Sequence, residues 1–188
     1  MNRDRLIHEY NPEWKTDFSA IEAILLRALD GISVKIEHVG STSVPGLAAK
    51  PIIDIDIVYD APEEFKAIKD RLAGIGYFHN GDQGIPGREA FKRNKDAKKR
   101  PVLDDIRHHL YACQSDAAEL KRHIVFRDFL RKNEWARIEY QALKLRLAEE
   151  TGQDQTAYAL LKEERALEFI LSIVARAEKD KAGNDDSW

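Results

Sequence analysis

Val34-Lys35-Ile36-Glu37-His38-Val39, then Gly40-Ser41-Thr42-Ser43-Val44-Pro45-Gly46, then Pro51-Ile52-Ile53-Asp54-Ile55-Asp56-Ile57-Val58-Tyr59 are the stretches that decide how the chain is read. The first alternates apolar and polar residues, as a strand does. The second, rich in hydroxyls and turn formers, reads as a loop. The third is a nearly continuous β-branched run, which predicts a strand covered on both faces. Asp54 and Asp56 are two residues apart in it, so their side chains leave the same face, about 6.6 Å apart along the strand. Two like charges on an otherwise apolar strand are costly without a partner. A divalent cation offsets that repulsion, and carboxylate oxygens suit Mg²⁺, which one or two carboxylates hold together with substrate phosphates. Another divalent cation would serve the same purpose. The competing structural reading has both aspartates near a strand end, bonded to Lys50 or Arg107.

The Gly40-Ser41 turn precedes Asp54 by a spacer of twelve residues. Such a turn offers backbone N–H groups and a hydroxyl to a phosphate. Thr42 adds a second hydroxyl, and Lys50 adds positive charge just before the carboxylate strand.

Outward from this centre, Asn11-Pro12 predicts a helix start. Trp14, Phe18, Ile21, Leu25 and Ala28 follow at helical spacing, up to a stop at Gly31. Ala61 to Ala73 reads as a helix and Ile75 to His79 as a short strand. Residues 80–106 read as mostly loop around a short strand near Ala90-Phe91, and His108 to Cys113 reads as a strand. Three helices follow. The first opens on Asp116 and Glu119, spaced as a capping box. The second carries Trp135, Ile138, Ala142 and Leu145, and the third carries Tyr158, Leu161, Ile170, Ile173 and Ala177. This order predicts an α+β fold: a mixed-sheet core over 1–114, a helical subdomain over 115–178 packed on it, and a polar, disordered tail over 179–188. A cleft between core and helices is the expected ligand site.

Composition narrows the classes. The chain of 188 residues carries 30 Lys and Arg against 33 Asp and Glu, for a net charge of −3. That balance argues against dominant nucleic-acid binding. The single cysteine, Cys113, excludes a disulfide framework and a multi-cysteine metal site, and it reads as a small buried hydrophobe. No apolar run is long enough for a membrane span, and the N-terminal residues show no apolar leader core. A cytoplasmic location without membrane contact is the expectation.

The run from His38 through Pro45 to Ile55 resembles the signature of the GrpB (UPF0157) family. Gly84-Ile85-Pro86-Gly87-Arg88-Glu89-Ala90-Phe91, Arg107-His108-His109-Leu110-Tyr111, Phe126 to Arg131, Tyr140 to Lys144, and the pair Tyr158 and Lys162 extend the resemblance over about residues 8–175. It implies a nucleotidyltransferase-like fold: a mixed sheet with flanking helices and a C-terminal helical subdomain. In that superfamily Gly-Ser precedes an Asp-x-Asp strand whose carboxylates hold Mg²⁺ ions and align a triphosphate for in-line displacement. A third carboxylate usually stands on a later strand. Here that strand reads Arg107-His108-His109-Leu110-Tyr111, so His109 would take the place as metal ligand or base.

The remaining candidates come with competing structural roles. His38 would either line the pocket as a metal ligand or fix the turn through a hydrogen bond. Residues 88–100 hold seven basic side chains against Glu89 and Asp96. Arg88, Lys92 and Arg93 flank the strand and are the better phosphate candidates, whereas Lys95 to Arg100 read as a solvated loop. Arg107 joins the phosphate candidates. Arg127 and Arg131 share a helix face and read as a surface ion-pair segment with Asp128. Tyr140 with Lys144, and Tyr158 with Lys162, are spaced to line a nucleobase and phosphate pocket, or to be core tyrosines beside surface lysines. The first expectation is a metal-dependent enzyme that transfers a nucleotidyl or phosphoryl group from a nucleoside triphosphate. Asp54, Asp56 and His109 would be its catalytic groups. The second is a non-catalytic nucleotide- or CoA-binding module, like the domain appended to some dephospho-CoA kinases. Both take a small-molecule nucleotide as partner.

Overall fold

The computed structural model describes residues 5–185, with side chains described to Asp180. Its elements run α1 (Glu13–Ala28), β1 (Val34–Val39), a 3₁₀ turn (Ser41–Ser43), β2 (Ile53–Tyr59), α2 (Glu64–Gly74), β3 (Tyr77–His79), β4 (Arg88–Arg93), α3 (Pro101–Asp105), β5 (His108–Gln114), α4 (Ala118–Lys132), α5 (Glu134–Glu150) and α6 (Gln155–Asp185). The five strands form one sheet in the order β1-β2-β5-β4-β3. Only the central pair, β2 with β5, is parallel. No described helix is long and apolar enough to cross a membrane.

Strand alternation divides the sheet chemically. Ile53, Ile55 and Ile57 point to one face, where Leu110, Ala112 and Phe91 join them under Ile21, Leu25, Ile68 and Leu103 of α1, α2 and α3. The other face carries Asp54 and Asp56 of β2, with Val39 and Glu37 beside them on β1 and His109 and Tyr111 on β5. The last three helices cover this second face and pack on one another around Leu130, Tyr140, Ala166 and Ile173. Ile57, in the carboxylate strand but on its apolar face, is fully buried. Ile57→Val is expected to cost about 1 kcal/mol, the usual cost of one lost buried methyl group. Urea unfolding checks this: the midpoint falls while the slope stays unchanged.

Several local expectations are corrected. Residues 101–105, read as loop, form α3, where Pro101 starts the helix and Leu103 drops into the core. Asp104 holds this turn by accepting from the Arg100 N–H at 2.6 Å and from Arg93. The capping box at Asp116 does not form. The Glu119 carboxylate instead pairs with Arg122 and His123. The segment from Lys179, expected to be disordered, continues α6 to Asp185, and residues 186–188 of that expected tail lie outside the described residues. Asn11 does cap α1: its Oδ1 accepts the Glu13 N–H at 3.0 Å.

Candidate active site

The loop after β1 is held from three sides. Gly40 has φ 70° and ψ −172°, a conformation open essentially to glycine alone. The Ser43 hydroxyl donates back to the Gly40 carbonyl at 2.6 Å. Thr42 Oγ1 donates to the Ile52 carbonyl at 3.2 Å and accepts from His38 Nε2 at 3.0 Å. His38 stacks on Phe18 of α1, with ring centroids 4.6 Å apart, on the sheet face opposite the carboxylates. Burial pushes its pKa down to about 4, against a weaker upward pull from Asp54, so the ring is neutral. His38 therefore fixes the turn and stands outside the carboxylate cluster. From the helical side, Arg131 Nε and Nη2 donate to the Ser43 carbonyl at 3.0 and 2.8 Å. Gln141 accepts the Ala48 N–H at 2.8 Å, and Lys144 Nζ donates to the Ala48 carbonyl and to Ser41 Oγ, the latter at 3.2 Å.

The two aspartates differ. Asp54 sits at the cleft, with Oδ1 2.9 Å from Nδ1 of His109, whose side chain is 53% exposed. Asp56 is fully buried, and its Oδ2 accepts from Nδ1 of His123 on α4 at 2.8 Å. The other nitrogen of His123 lies 3.1 Å from Glu119, which also pairs with Arg122 at 2.7 Å. Burial pulls the His123 pKa down. The hydrogen bonds and charges of Asp56 and Glu119 outweigh it and carry the value up to about 9. The same pairing overrides burial at Glu119 and lowers it to about 2. His123 is thus an imidazolium wedged between two carboxylates. Alongside, Arg127 and Arg131 pair with Asp128 at 2.8 and 3.6 Å as expected, and the buried Arg127 also joins Glu37 at 2.6 Å and the His38 carbonyl at 3.1 Å, a link the sequence did not show.

Cations surround this cluster. Arg88 lies over the Tyr111 ring at 4.4 Å, 3.9 Å from Glu119, and its buried Nε has no hydrogen-bond partner among the described residues. Lys50 stands over the Tyr158 ring at 4.3 Å. Lys144 is almost wholly buried, and burial, reinforced by the charge of Lys162, pulls its pKa well below the usual lysine value. Lys50, Lys144 and Lys162 make no ion pair within the described residues.

Two cavities meet here. An outer cleft of about 880 Å³ takes in Thr42, Lys50, His109, Lys144 and Tyr158. An inner chamber of about 270 Å³ lies behind it, with Gly40 and His123 in its wall. They share Ser41, Asp54, Arg88, Arg122, Lys162 and Ile170. Gly40, Ser41, Thr42, Lys50, Asp54, Arg88, His109, Tyr158 and Lys162 are thus brought together, although the Thr42 hydroxyl is spent on the turn. Lys92 and Arg107 are exposed and line neither cavity, and Arg93 is turned away to Asp104 at 2.7 Å and the Ile75 carbonyl at 2.5 Å. His123 escaped the sequence reading, and Glu119 entered it only as a helix-capping residue. Their one signal is the i, i+4 spacing that sets an acid and a histidine on one face of α4.

The donor set bears on the implied Mg²⁺. Asp56 Oδ1 is buried with no hydrogen-bond partner, beside Asp54 on the same strand face. Among the described residues no three His, Cys, Asp or Glu side chains gather as a metal cage. The set fits a cation that arrives with a polyphosphate and completes its shell with phosphate oxygens and water. It does not fit a resident metal held by protein alone.

Comparison with known proteins places this geometry in a wider group. A family model described as GrpB protein matches residues 6–176. UPF0157 protein YqkA of Bacillus subtilis is 30% identical over 178 residues, 95% of this chain and 48% of the relative, so the chain spans about half of that protein. The crystal structure of conserved protein GrpB from Enterococcus faecalis aligns at a TM-score of 0.74 with 31% identity, over 93% of this chain and 98% of that one. A structure of Cid1 with the UTP analog UMPNPP aligns at 0.52 with 12% identity, over 76% and 43%, which shows a shared nucleotidyltransferase fold. A dephospho-CoA kinase of Mycolicibacterium paratuberculosis is 26% identical over 81% of this chain and 42% of its own length.

Proposed function

The chain belongs to the GrpB family, and from that premise and the geometry of its cleft we propose that it binds a nucleotide polyphosphate and transfers a nucleotidyl or phosphoryl group from it. The observation that carries this reading is the set of cations around Ser41 and Asp54 whose polar atoms are incompletely paired. Among the described residues Lys144 and Lys162 make no ion pair, and Arg88, 3.9 Å from Glu119 through Nη1, has a buried Nε without an acceptor. Buried positive charge of this kind is costly unless an anion meets it, and a polyphosphate supplies several negative oxygens at once. Ser41, at the mouth of both cavities, would donate to a phosphate oxygen, with Lys144 holding its hydroxyl in place. Asp54 and the free oxygen of Asp56 would hold a divalent cation that comes with the nucleotide. That cation would supply charge neutralisation at the phosphorus. His109, bonded to Asp54 and open to solvent, orients that carboxylate.

A second reading keeps the binding and drops the transfer. It is favoured by β5, which brings an imidazole rather than a carboxylate to Asp54, and by His123 on one oxygen of Asp56. Titration calorimetry with ATP, UTP and dephospho-CoA, with and without Mg²⁺, tests the shared part. Arg88→Met and Lys162→Met are each expected to weaken nucleotide binding about tenfold, near 1.4 kcal/mol. Unchanged affinity in both variants would refute the cleft assignment. Asp54→Asn should remove the Mg²⁺ dependence of binding. Tight, Mg²⁺-independent binding with no product from any acceptor would leave the module reading alone.

A further inference from the structure

We infer that Ser41 is a nucleophile with Lys144 as its general base, and that it takes the transferred group covalently on Oγ. The inference rests on the nucleotide reading of the cleft and adds the atom that receives the group. Three hydroxyls stand on the loop after β1, and two are spent. Thr42 donates to the Ile52 carbonyl and Ser43 to the Gly40 carbonyl. Among the described residues Ser41 Oγ has one hydrogen-bond partner, Lys144 Nζ at 3.2 Å. That separation is within reach for a nucleophile and its base. Ser41 and Asp54 both stand at the neck where the two cavities meet, which is where the phosphates are assigned.

Lys144 is placed to act as that base. It is almost wholly buried. Around it stand Tyr140 of α5, whose ring centroid is 4.9 Å from Nζ, Tyr158 and Lys162 of α6, and, lining the same cleft, Lys50 and Asp54. A buried ammonium without an anion is costly, and losing a proton relieves that cost until a polyphosphate arrives. Burial, with the charge of Lys162 behind it, lowers the Lys144 pKa well below the usual lysine value. As a neutral amine, Nζ donates to the Ala48 carbonyl and turns its lone pair to the Ser41 hydroxyl, which then donates. In the transfer, Ser41 Oγ bonds to phosphorus and its proton passes to Lys144 Nζ. The bond from that phosphorus to its bridging oxygen breaks. Pyrophosphate leaves if the nucleotidyl group moves, and nucleoside diphosphate leaves if the terminal phosphoryl group moves. Attack by an acceptor hydroxyl later breaks the Oγ–P bond. Lys144 then returns its proton to Oγ, and the acceptor's proton goes to water.

Mass spectrometry of the full chain tests this with two probes. An alkyl fluorophosphonate reads the Ser41–Lys144 pair without any nucleotide: Oγ bonds to phosphorus and fluoride leaves. Peptide mapping is expected to find the adduct on Ser41. Its rate should rise with pH and level off well below the usual lysine range. Lys144→Arg keeps a donor for the Ala48 carbonyl but cannot lose its proton, so labelling should slow about a hundredfold, as on loss of a general base. The pH profile of the parent reads the same base with no change to the buried site. ATP or UTP with Mg²⁺ and no acceptor should then add one nucleoside monophosphate or one phosphate group to Ser41, and none to Ser41→Ala. Three results would overturn the inference: no fluorophosphonate on Ser41, labelling undiminished in Lys144→Arg, or a nucleotide that binds by calorimetry and adds no mass to Ser41. If Ser41 is labelled but no nucleotide binds, the nucleotide reading falls and the activated serine stands.

Discussion

Gly40→Ala is expected to destabilise the protein by about 3 kcal/mol and to abolish nucleotide binding in the cleft. Two costs combine. The backbone at φ 70° and ψ −172° lies where a side chain is strained in any surroundings. A Cβ there would also stand 2.9 Å from Cγ and 3.0 Å from Cβ of Asp54, and would overlap the carboxylate Oδ2. Asp54 must then swing away, which breaks its contact with His109 and moves the carboxylate at the neck. Gly81→Ala is the matched control. It has a similar φ of 73° but open space around the added methyl. The control should show backbone strain alone, with nucleotide affinity retained. Thermal unfolding and calorimetry on both variants separate strain from collision. Equal loss of binding in the two would remove the special role of the Gly40–Asp54 contact.

The second large effect is on the His123 cluster. His123→Ala should cost about 3 kcal/mol, because it leaves Asp56 charged, buried and without its counter-charge. Adding Asp56→Asn should recover part of that loss, since the uncompensated charge is then gone. The pH dependence has a definite sign. The raised His123 value gives stability that is complete below about 6.5 and fades as pH rises through about 9. The lowered Glu119 value gives stability present above about 4.5 and lost as pH falls towards 2. Their joint contribution is therefore greatest between these limits, on the mildly acidic side of neutrality. Denaturation midpoints across pH check it: the decline between pH 7 and 9, about 7–9 on the scale set by these values, should flatten in His123→Ala.

The scaffold was readable wherever a residue pattern repeats with the period of its own element. Ile53, Ile55 and Ile57 announce a buried strand, and Asp54 and Asp56 announce a shared face. Asp54, Ser41 and His109 were legible as neighbours because the strand order of the resembled family brings them together. The features that escaped depend on long-range pairing. His123 reaches Asp56 across 67 residues of sequence, and nothing in α4 itself marks that partner. Arg127 looked like a surface residue for the same reason: its link to Glu37 spans 90 positions. His38 sat next to the decisive turn, but the period-two alternation that aims Glu37 at Asp56 turns His38 to the apolar face under Phe18. The five-residue α3 is too short to display a helical period.

The grip of α4 and α5 on the Gly40–Ala48 loop also sets the order of assembly. Ser41 and Lys144 are separated by 103 residues. At a synthesis rate of roughly 5–20 residues per second, the loop leaves the ribosome on the order of ten seconds before the lysine that holds it. During that interval the carbonyls of Ser43 and Ala48 lack their donors, while the isoleucine-rich side of the sheet can already collapse on α1. The cleft is therefore among the last parts of the nascent chain to mature, and a chain stalled before α5 would carry a core without the contacts that shape its cleft.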